Sequence, residues 1–372
     1  MLNSSAPTNV NYSFASIRIN QRVTEVNAII TGKEKGRTRF ESAVFDFIRQ
    51  WLMETAAFTQ QTSGSTGAPK KITITRDQMI ASAGRTLHAL GIIAGDCALA
   101  CLNPEYIAGK MMLVRALEFN LKLEAVEPTS DPLQHINREF INGFAAFVPL
   151  QLQTMLDNPQ RIYQLNQMKA VLVGGAPVSD TLEKKIKALT CPVYATYGMT
   201  ETVSNIALQK LNGTETQKNF NTLPGVTVQT DERSCLVIHL PGVPEPVITN
   251  DVAELQSETS FRILGRWDHV INTGGVKINP EQLEKQVEKI LQAHGILRPF
   301  IIGSLPDEKL GEQLILLVEG IPMHSETEGR FIEKCKQQLE PYEVPRQIRY
   351  LDQFFYTPSG KINRREILKS IR

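Results

Sequence analysis

Between residues 60 and 71 the chain reads Gln60-Gln-Thr-Ser-Gly-Ser-Thr-Gly-Ala-Pro-Lys-Lys71, a run of hydroxyls and glycines that ends in two cations. Those residue types suit a phosphate cradle. Gly64 and Gly67 let backbone N–H groups close on phosphate oxygens, Thr62, Ser63, Ser65 and Thr66 add hydroxyl donors, and Lys70 adds a mobile positive charge. A flexible Ser/Gly surface loop uses similar ingredients, but the density of hydroxyls and the β-rich Lys71-Ile-Thr-Ile-Thr75 that follows favour the cradle. A Walker A loop is excluded, because that motif sets a glycine directly before its lysine and a hydroxyl after it.

A second group lies in Tyr194-Ala-Thr-Tyr-Gly-Met-Thr-Glu-Thr202, behind an apolar strand. Gly198 can turn the chain there, so that Tyr197 offers a ring for stacking on a base, Thr200 a hydroxyl for phosphate and Glu201 a carboxylate for Mg²⁺. The same residues also suit a strand-to-helix turn with Thr200 as cap. Gly174-Gly175-Ala176-Pro177 is a glycine turn at another strand end, and ligands of open α/β sheets gather at such ends. Asp251, Arg266, the Gly274-Gly275 pair, Lys277 and Lys361 complete the polar inventory; each read singly is also compatible with a turn or a solvated surface position.

The elements that must carry these groups are legible from hydrophobic texture. Short apolar strands at Cys97 to Leu102, Leu121 to Val126, Ala145 to Val148, Ala170 to Val173 and Pro192 to Thr196 alternate with amphipathic segments, which predicts an α/β architecture. Ala108 to Phe119 and Ser179 to Leu189 read as helices, the second capped by Ser179. After Gly213, prolines and glycines punctuate short strands such as Cys235 to Leu240, the texture of a small β-rich subdomain. From Trp267 a third composition begins, with helices predicted over Pro280 to Ala293 and Glu328 to Leu339 and strands near Phe300 and Leu314. The division is placed at Asp268, giving domains 1–267 and 268–372. The first 40 or so residues are polar and weakly patterned.

The composition narrows the function class. The chain has 372 residues, 42% of them hydrophobic, with 40 Lys plus Arg against 39 Asp plus Glu. That length allows more than one core, and the charge balance gives no overall field for nucleic acid or an anionic membrane. The apolar runs are of strand length, short of a bilayer span. The first residues show no signal-peptide pattern, from which a cytoplasmic location is expected. The five cysteines show neither Cys-x2-Cys pairs nor an even disulfide framework, and the scattered histidines offer no zinc spacing.

Taken together, the Thr62–Lys70 loop, the Tyr-Gly-x-Thr-Glu segment at Tyr197–Glu201, Thr249-Asn-Asp251, Gly265-Arg-Trp-Asp268, Gly274-Gly275 and Tyr356-Thr-Pro-Ser-Gly-Lys361 resemble, in order, the motifs of the adenylate-forming superfamily of acyl- and aryl-CoA synthetases. The resemblance runs from Thr62 to Lys361. It implies a large N-terminal α/β domain with a small β-rich subdomain and a small mobile α+β C-terminal domain. It also implies ATP and Mg²⁺, with CoA as co-substrate. By it, the loop holds the ATP phosphates, Gly175, Ala176, Pro177 and Tyr197 line the nucleotide site, and Thr200 and Glu201 act in adenylation with Glu201 on Mg²⁺. Asp251 takes the ribose hydroxyls and Arg266 reaches the ribose. Asp268 is the hinge, Gly274, Gly275 and Lys277 lie along the CoA path, and Lys361 bridges the substrate carboxylate and the phosphate. One departure is Asn250, where the family has glycine.

The Ile107-Ala-Gly-Lys-Met-Met-Leu-Val-Arg115 run, Phe147 to Gln153 and the compact N-terminal region most resemble short o-succinylbenzoate CoA ligases of menaquinone biosynthesis. This implies a small carboxylic acid as partner and Tyr106, Lys110, Met112, Gly174, Thr196 and Val203 as pocket residues. Lys110, near a helix start, could hold a second carboxylate. Arg115, five residues on, belongs to another helical face and is expected to be solvated or paired. Another aryl or short-chain acyl-CoA ligase, and a non-catalytic adenylate-binding regulatory protein, are the alternatives.

Overall fold

The computed structural model describes residues 15–61, 71–136, 143–357 and 362–371. These separate into two compact units, one up to Pro224 and one from Gly225.

In the first unit the strands are β1 (Ser16–Ile19), β2 (Arg22–Glu25), β3 (Ala57–Gln61), β4 (Lys71–Thr75), β5 (Cys97–Ala100), β6 (Lys122–Ala125), β7 (Gly143–Phe147), β8 (Ala170–Val173), β9 (Val193–Met199), β10 (Ser204–Lys210) and β11 (Phe220–Thr222). The helices are α1 (Val26–Ile30), α2 (Arg39–Leu52), α3 (Arg76–Leu90), α4 (Ile107–Glu118), α5 (Pro149–Met155), α6 (Pro159–Asn166) and α7 (Asp180–Ile186). The main sheet runs in the order β11-β10-β9-β8-β7-β5-β6-β1-β2. From β9 through β6 to β1 neighbouring strands are parallel, whereas β9–β10, β10–β11 and β1–β2 are antiparallel. The parallel strands are covered on both faces, which is why β5 and β8 are buried at every position and read as continuous apolar runs. One core gathers Phe45, Ile48, Trp51, Met79, Met111 and Val114 from α2, α3 and α4. The other gathers Leu152, Met155, Leu165, Leu182 and Ile186 from α5, α6 and α7.

Local chemistry sets the helix starts that matter below. Thr75 caps α3 in a capping box with Gln78, and Gly91 ends that helix in the left-handed region at φ 64°, as the cap motifs demand. A Cβ on Gly109 would come within 2.4 Å of the Asn103 carbonyl oxygen, so glycine lets the first turn of α4 close on the Leu102–Asn103 backbone that follows β5. Ser179 accepts from the Leu182 N–H and caps α7 as the sequence predicts.

The second unit contains β12 (Thr227–Thr230), β13 (Cys235–His239), β14 (Val247–Ser257) and β15 (Ser260–Arg266), paired in that order as an antiparallel meander. There follow β16 (Ile271–Thr273), β17 (Val276–Ile278), α8 (Pro280–Ala293), β18 (Phe300–Asp307), β19 (Gly311–Glu319), α9 (Ser325–Gln338), β20 (Gln347–Leu351) and α10 (Arg364–Ser370). Here β17-β16-β19-β18 form one sheet, with β20 parallel to β19. Leu283, Val287, Ile290, Phe331 and Cys335 pack α8 and α9 on that sheet. Mixed α/β architecture with an added β-rich portion is what the sequence predicts.

Candidate active site

In the first unit the candidate residues collect where β8 and β9 end and where α4 begins. The Gly174 N–H donates to the Phe147 carbonyl at 3.1 Å. The Thr196 hydroxyl donates to the Val173 carbonyl at 3.4 Å. A Cβ on Gly174 would lie 2.1 Å from Thr196 Oγ1, so these two residues face each other directly and only glycine fits. Gly175 follows in the left-handed region at φ 85°, which turns the chain away toward Ala176 and the exposed Pro177. The Tyr197 ring rests against Phe220, centroids 5.8 Å apart.

Beyond β9 the chain reverses through Met199–Val203. Thr200 is partly exposed and Glu201 is exposed, whereas the residues behind them are tied down. Thr202 Oγ1 accepts from the Met199 N–H at 2.9 Å and lies 2.8 Å from the Ser204 carbonyl. Val203 and Ser204 are both left-handed, at φ 54° and 80°, a conformation that is costly for a β-branched residue. Val203 lies in the core and its carbonyl accepts from Ser82 Oγ at 2.6 Å. The turn therefore presents a hydroxyl and a carboxylate to solvent from a fixed base. Among the described residues no group of three or more His, Cys, Asp or Glu could hold a metal. A Mg²⁺ ion needs none, since one carboxylate with phosphate and water oxygens suffices, and the exposed Glu201 carboxylate is of that hard oxygen type.

On α4, Lys110 Nζ donates to Gln60 Oε1 at 2.7 Å, and Gln60 Nε2 donates to the Glu105 carbonyl at 2.6 Å. The ammonium lies 5.8 Å from the Phe47 ring centroid. Burial holds the Lys110 pKa below the ordinary lysine value. Tyr106 stands at the N-cap of α4, and Met112 is fully buried in the core. Arg115, expected to be solvated or paired, is buried and bonded to neutral acceptors, chiefly Asn205 Oδ1 at 2.8 Å. Gln60, Ser82, Thr86 and Asn205 were not singled out from sequence. A polar side chain beside a motif, as Gln60 is, was the one available signal.

In the second unit Asp251 and Arg266 are Cα partners across β14 and β15. Arg266 Nη1 donates to Asp251 Oδ1 at 3.0 Å, while Nε and Nη2 donate to the two oxygens of Asp268 at 2.9 and 3.1 Å. Burial works against the guanidinium charge, but the Asp268 hydrogen bond and both carboxylates outweigh it and raise the Arg266 pKa. Asn250, where the family resemblance expects glycine, lies within β14, and its Oδ1 accepts from Arg233 at 3.0 Å. Gly274 and Gly275 make the β16–β17 turn with φ 59° and 84°, the pairing that a two-residue hairpin requires. Lys277 Nζ lies 5.1 Å from the Trp267 ring centroid. Next to the hinge candidate, His269 Nδ1 contacts Glu281 Oε1.

Thr62, Ser63, Gly64, Ser65, Thr66, Gly67, Lys70 and Lys361 lie outside the described residues. Their flanks do not. Gln61 and Lys71 are Cα partners in the β3–β4 hairpin, and Tyr356 and Ile362 form a bridge.

A glycine turn, a hydroxyl and a carboxylate at the strand ends of an open α/β sheet stand where such sheets bind their ligands. The family model for AMP-binding enzymes matches residues 19–232, and the chain belongs to that family; it is an AMP-forming acid–CoA ligase. An acyl-CoA synthetase (AMP-forming)/AMP-acid ligase II-like protein from Dyadobacter fermentans DSM 18053, known from its crystal structure, is 38% identical with a TM-score of 0.60, covering 92% of this chain and 97% of that one. A 2-succinylbenzoate–CoA ligase of Bacillus cereus (strain ATCC 10987 / NRS 248) is 25% identical in an alignment that covers 86% of this chain and 71% of the relative. The fold is also that of o-succinylbenzoate coenzyme A synthetase from Bacillus subtilis in complex with ATP and magnesium ion, with a TM-score of 0.70 at 21% identity over 83% of this chain and 69% of that one. Among the described residues no helix is long and apolar enough to cross a membrane.

Proposed function

We propose that this ligase activates o-succinylbenzoate, joining its carboxylate to AMP and passing the acyl group to CoA. The observation that carries the choice of acid is Lys110: a largely buried ammonium on α4 whose partner is the amide of Gln60. An amide satisfies a proton without neutralising the charge, so the cation stays available to a substrate bearing a second carboxylate. The curated relatives named 2-succinylbenzoate–CoA ligase support the same choice.

A carboxylate is a poor acyl donor because oxide would have to leave. Attack of its oxygen on the α-phosphate of ATP expels pyrophosphate and gives an acyl-adenylate; attack of the CoA thiol on the acyl carbon then expels AMP, and the thiol proton passes to solvent. In this reading Thr62, Ser63, Ser65, Thr66 and Lys70, with Gly64 and Gly67, hold the phosphates. Thr200 donates to phosphate, and Lys361 meets the charge that develops between carboxylate and phosphate. Glu201 would hold Mg²⁺, which supplies charge neutralisation on the phosphates. Asp251 and Arg266 hold the ribose, and Gly175, Ala176, Pro177 and Tyr197 bound the adenosine. Tyr106, Gly174 and Thr196 line the acid pocket beside Lys110, with Met112 and Val203 behind. A backbone change at Asp268 exchanges Lys361 for the Gly274–Gly275 turn and Lys277 between the two half-reactions.

The test is CoA-dependent AMP release with ATP, Mg²⁺ and a panel of o-succinylbenzoate, benzoate, phenylacetate and short fatty acids, with the thioester identified by mass. Preference for o-succinylbenzoate supports the proposal. Turnover of another acid rejects that substrate and points to another aryl or short-chain acyl-CoA ligase, and nucleotide binding without turnover points to an adenylate-binding regulator.

A further inference from the structure

We infer that Arg115 is a positioning residue for the turn that carries Thr200 and Glu201, acting with Ser82 and Thr86 to fix the left-handed pair Val203–Ser204 behind it. The inference rests on the roles proposed above for Thr200 and Glu201.

Arg115 is 2% exposed, and a buried guanidinium is ordinarily paired with a carboxylate because its charge is otherwise expensive to desolvate. Here every acceptor among the described residues is neutral. Nη2 donates to Asn205 Oδ1 at 2.8 Å, to Ser204 Oγ at 3.3 Å and to Thr86 Oγ1 at 3.3 Å, and Nη1 lies 3.5 Å from Met112 Sδ. Burial draws the Arg115 pKa down to about 10. Two of these contacts fall on consecutive residues, Ser204 and Asn205, at the start of β10, where the β9–β10 register shifts between Asn205 and Ala207.

Three further ties close on the same segment. Ser82 Oγ donates to the Val203 carbonyl at 2.6 Å, Thr86 Oγ1 lies 3.4 Å from Asn205 Oδ1, and Thr202 Oγ1 lies 2.8 Å from the Ser204 carbonyl. A β-branched residue at φ 54° persists only where its surroundings over-determine it. The surroundings that do so are α3 and α4. Both helices pack on β10, so displacement of either is transmitted to the hydroxyl of Thr200 and the carboxylate of Glu201.

The Nε of Arg115 has no hydrogen-bond partner among the described residues, and a carboxylate of the acid reaching that nitrogen is the rival reading. The experiment separates the two. Arg115→Met, Arg115→Lys and Thr86→Val are made in the full chain. Acid-dependent ATP–pyrophosphate exchange is followed at several Mg²⁺ concentrations, and thioester formation is measured separately from supplied acyl-adenylate. Misaiming a metal ligand and a phosphate donor is expected to lower exchange kcat on the order of 10²-fold in Arg115→Met and to raise its Mg²⁺ requirement. Thr86→Val should move both quantities the same way by about tenfold, with the KM for acid and the supplied-adenylate reaction within about threefold of the parent.

A rise in the KM for acid alone overturns the inference in favour of direct substrate contact. Unchanged exchange, or parallel loss of both half-reactions, overturns it as well. If Arg115→Met does not fold, Arg115→Lys and Thr86→Val read the same split. If the unaltered chain shows no exchange with any acid, the proposed function fails, yet Mg²⁺–ATP affinity by calorimetry still decides the inference: about tenfold weakening in Thr86→Val supports it and unchanged affinity overturns it.

Discussion

Arg266 holds Asp251 and Asp268 with one guanidinium: Nη1 lies 3.0 Å from Asp251 Oδ1, while Nε and Nη2 grip the two oxygens of Asp268 at 2.9 and 3.1 Å. The residue proposed to hold the ribose and the residue proposed as hinge thus share a cation. Arg266→Ala removes this shared cation from both carboxylates, and the KM for ATP in pyrophosphate exchange is expected to rise by roughly ten- to a hundredfold. Arg266→Lys should recover little, because an ammonium cannot reproduce a fork that serves three oxygens. Recovery by lysine would show that charge alone matters there.

Gly174 and Thr196 make a pair that a double substitution can read. The Cβ of Gly174→Ala would lie 2.1 Å from Thr196 Oγ1, so the single change is expected to cost about 1–3 kcal/mol in stability and to weaken acid binding. Thr196→Ala removes the clashing oxygen. The double variant should then regain most of the loss, a coupling measurable by denaturant unfolding; strict additivity would mean that the two residues do not press on each other.

Lys110 carries a pH signature. Its pKa lies below the ordinary lysine value through burial, so its charge is lost at lower pH than that of a surface lysine. The KM for o-succinylbenzoate should rise as pH is taken up through that value, and the KM for benzoate, with no second carboxylate, should not. Lys110→Met is expected to raise the KM for the dicarboxylate by about tenfold at neutral pH and to flatten the dependence. Equal effects on both acids would remove Lys110 from the recognition of a second carboxylate.

Glu124 is fully buried on β6 with neither carboxylate oxygen hydrogen-bonded among the described residues. Burial pushes its pKa up to about 7, with Arg18 only partly opposing. The native chain therefore keeps a proton that the unfolded chain releases near the ordinary glutamate value. The stabilisation this provides is complete below about pH 4.3, falls as pH rises and is gone above the native value. Glu124→Gln should abolish that slope and be more stable than the parent at pH 8 by on the order of 1–3 kcal/mol. Thermal unfolding at pH 5 and pH 8 measures it, and an unaltered slope in the variant would place its origin elsewhere.

Much of this arrangement is readable from the chain alone, and the reasons are local. The apolar runs at Cys97 and Ala170 fall on β5 and β8 because parallel strands covered on both faces cannot alternate. Pro280 marks the first turn of α8, and Ser179 caps α7. The N-terminal region was opaque for the opposite reason. Its strands β1 and β2 are four residues each, and β1 owes its place to parallel pairing with β6, about a hundred positions away.

The candidate site divides in the same way. Thr200, Glu201, Gly174 and Asp251 belong to contiguous motifs, so residue types announce them. Arg115 does not, because its acceptors lie 29 and about 90 residues distant and none is charged. A neutral partner leaves no complementary sign in the sequence, and only the packing of α3 and α4 on β10 shows where that guanidinium ends.

The most direct measurement of the central claim supplies o-succinylbenzoate labelled with ¹⁸O in its carboxylates, together with ATP, Mg²⁺ and CoA, and follows the label by mass spectrometry. Attack by the acid on the α-phosphate predicts the o-succinylbenzoyl thioester and AMP carrying a single ¹⁸O. Unlabelled AMP, label in inorganic phosphate with ADP as product, or no thioester from this acid while another is turned over would contradict the account.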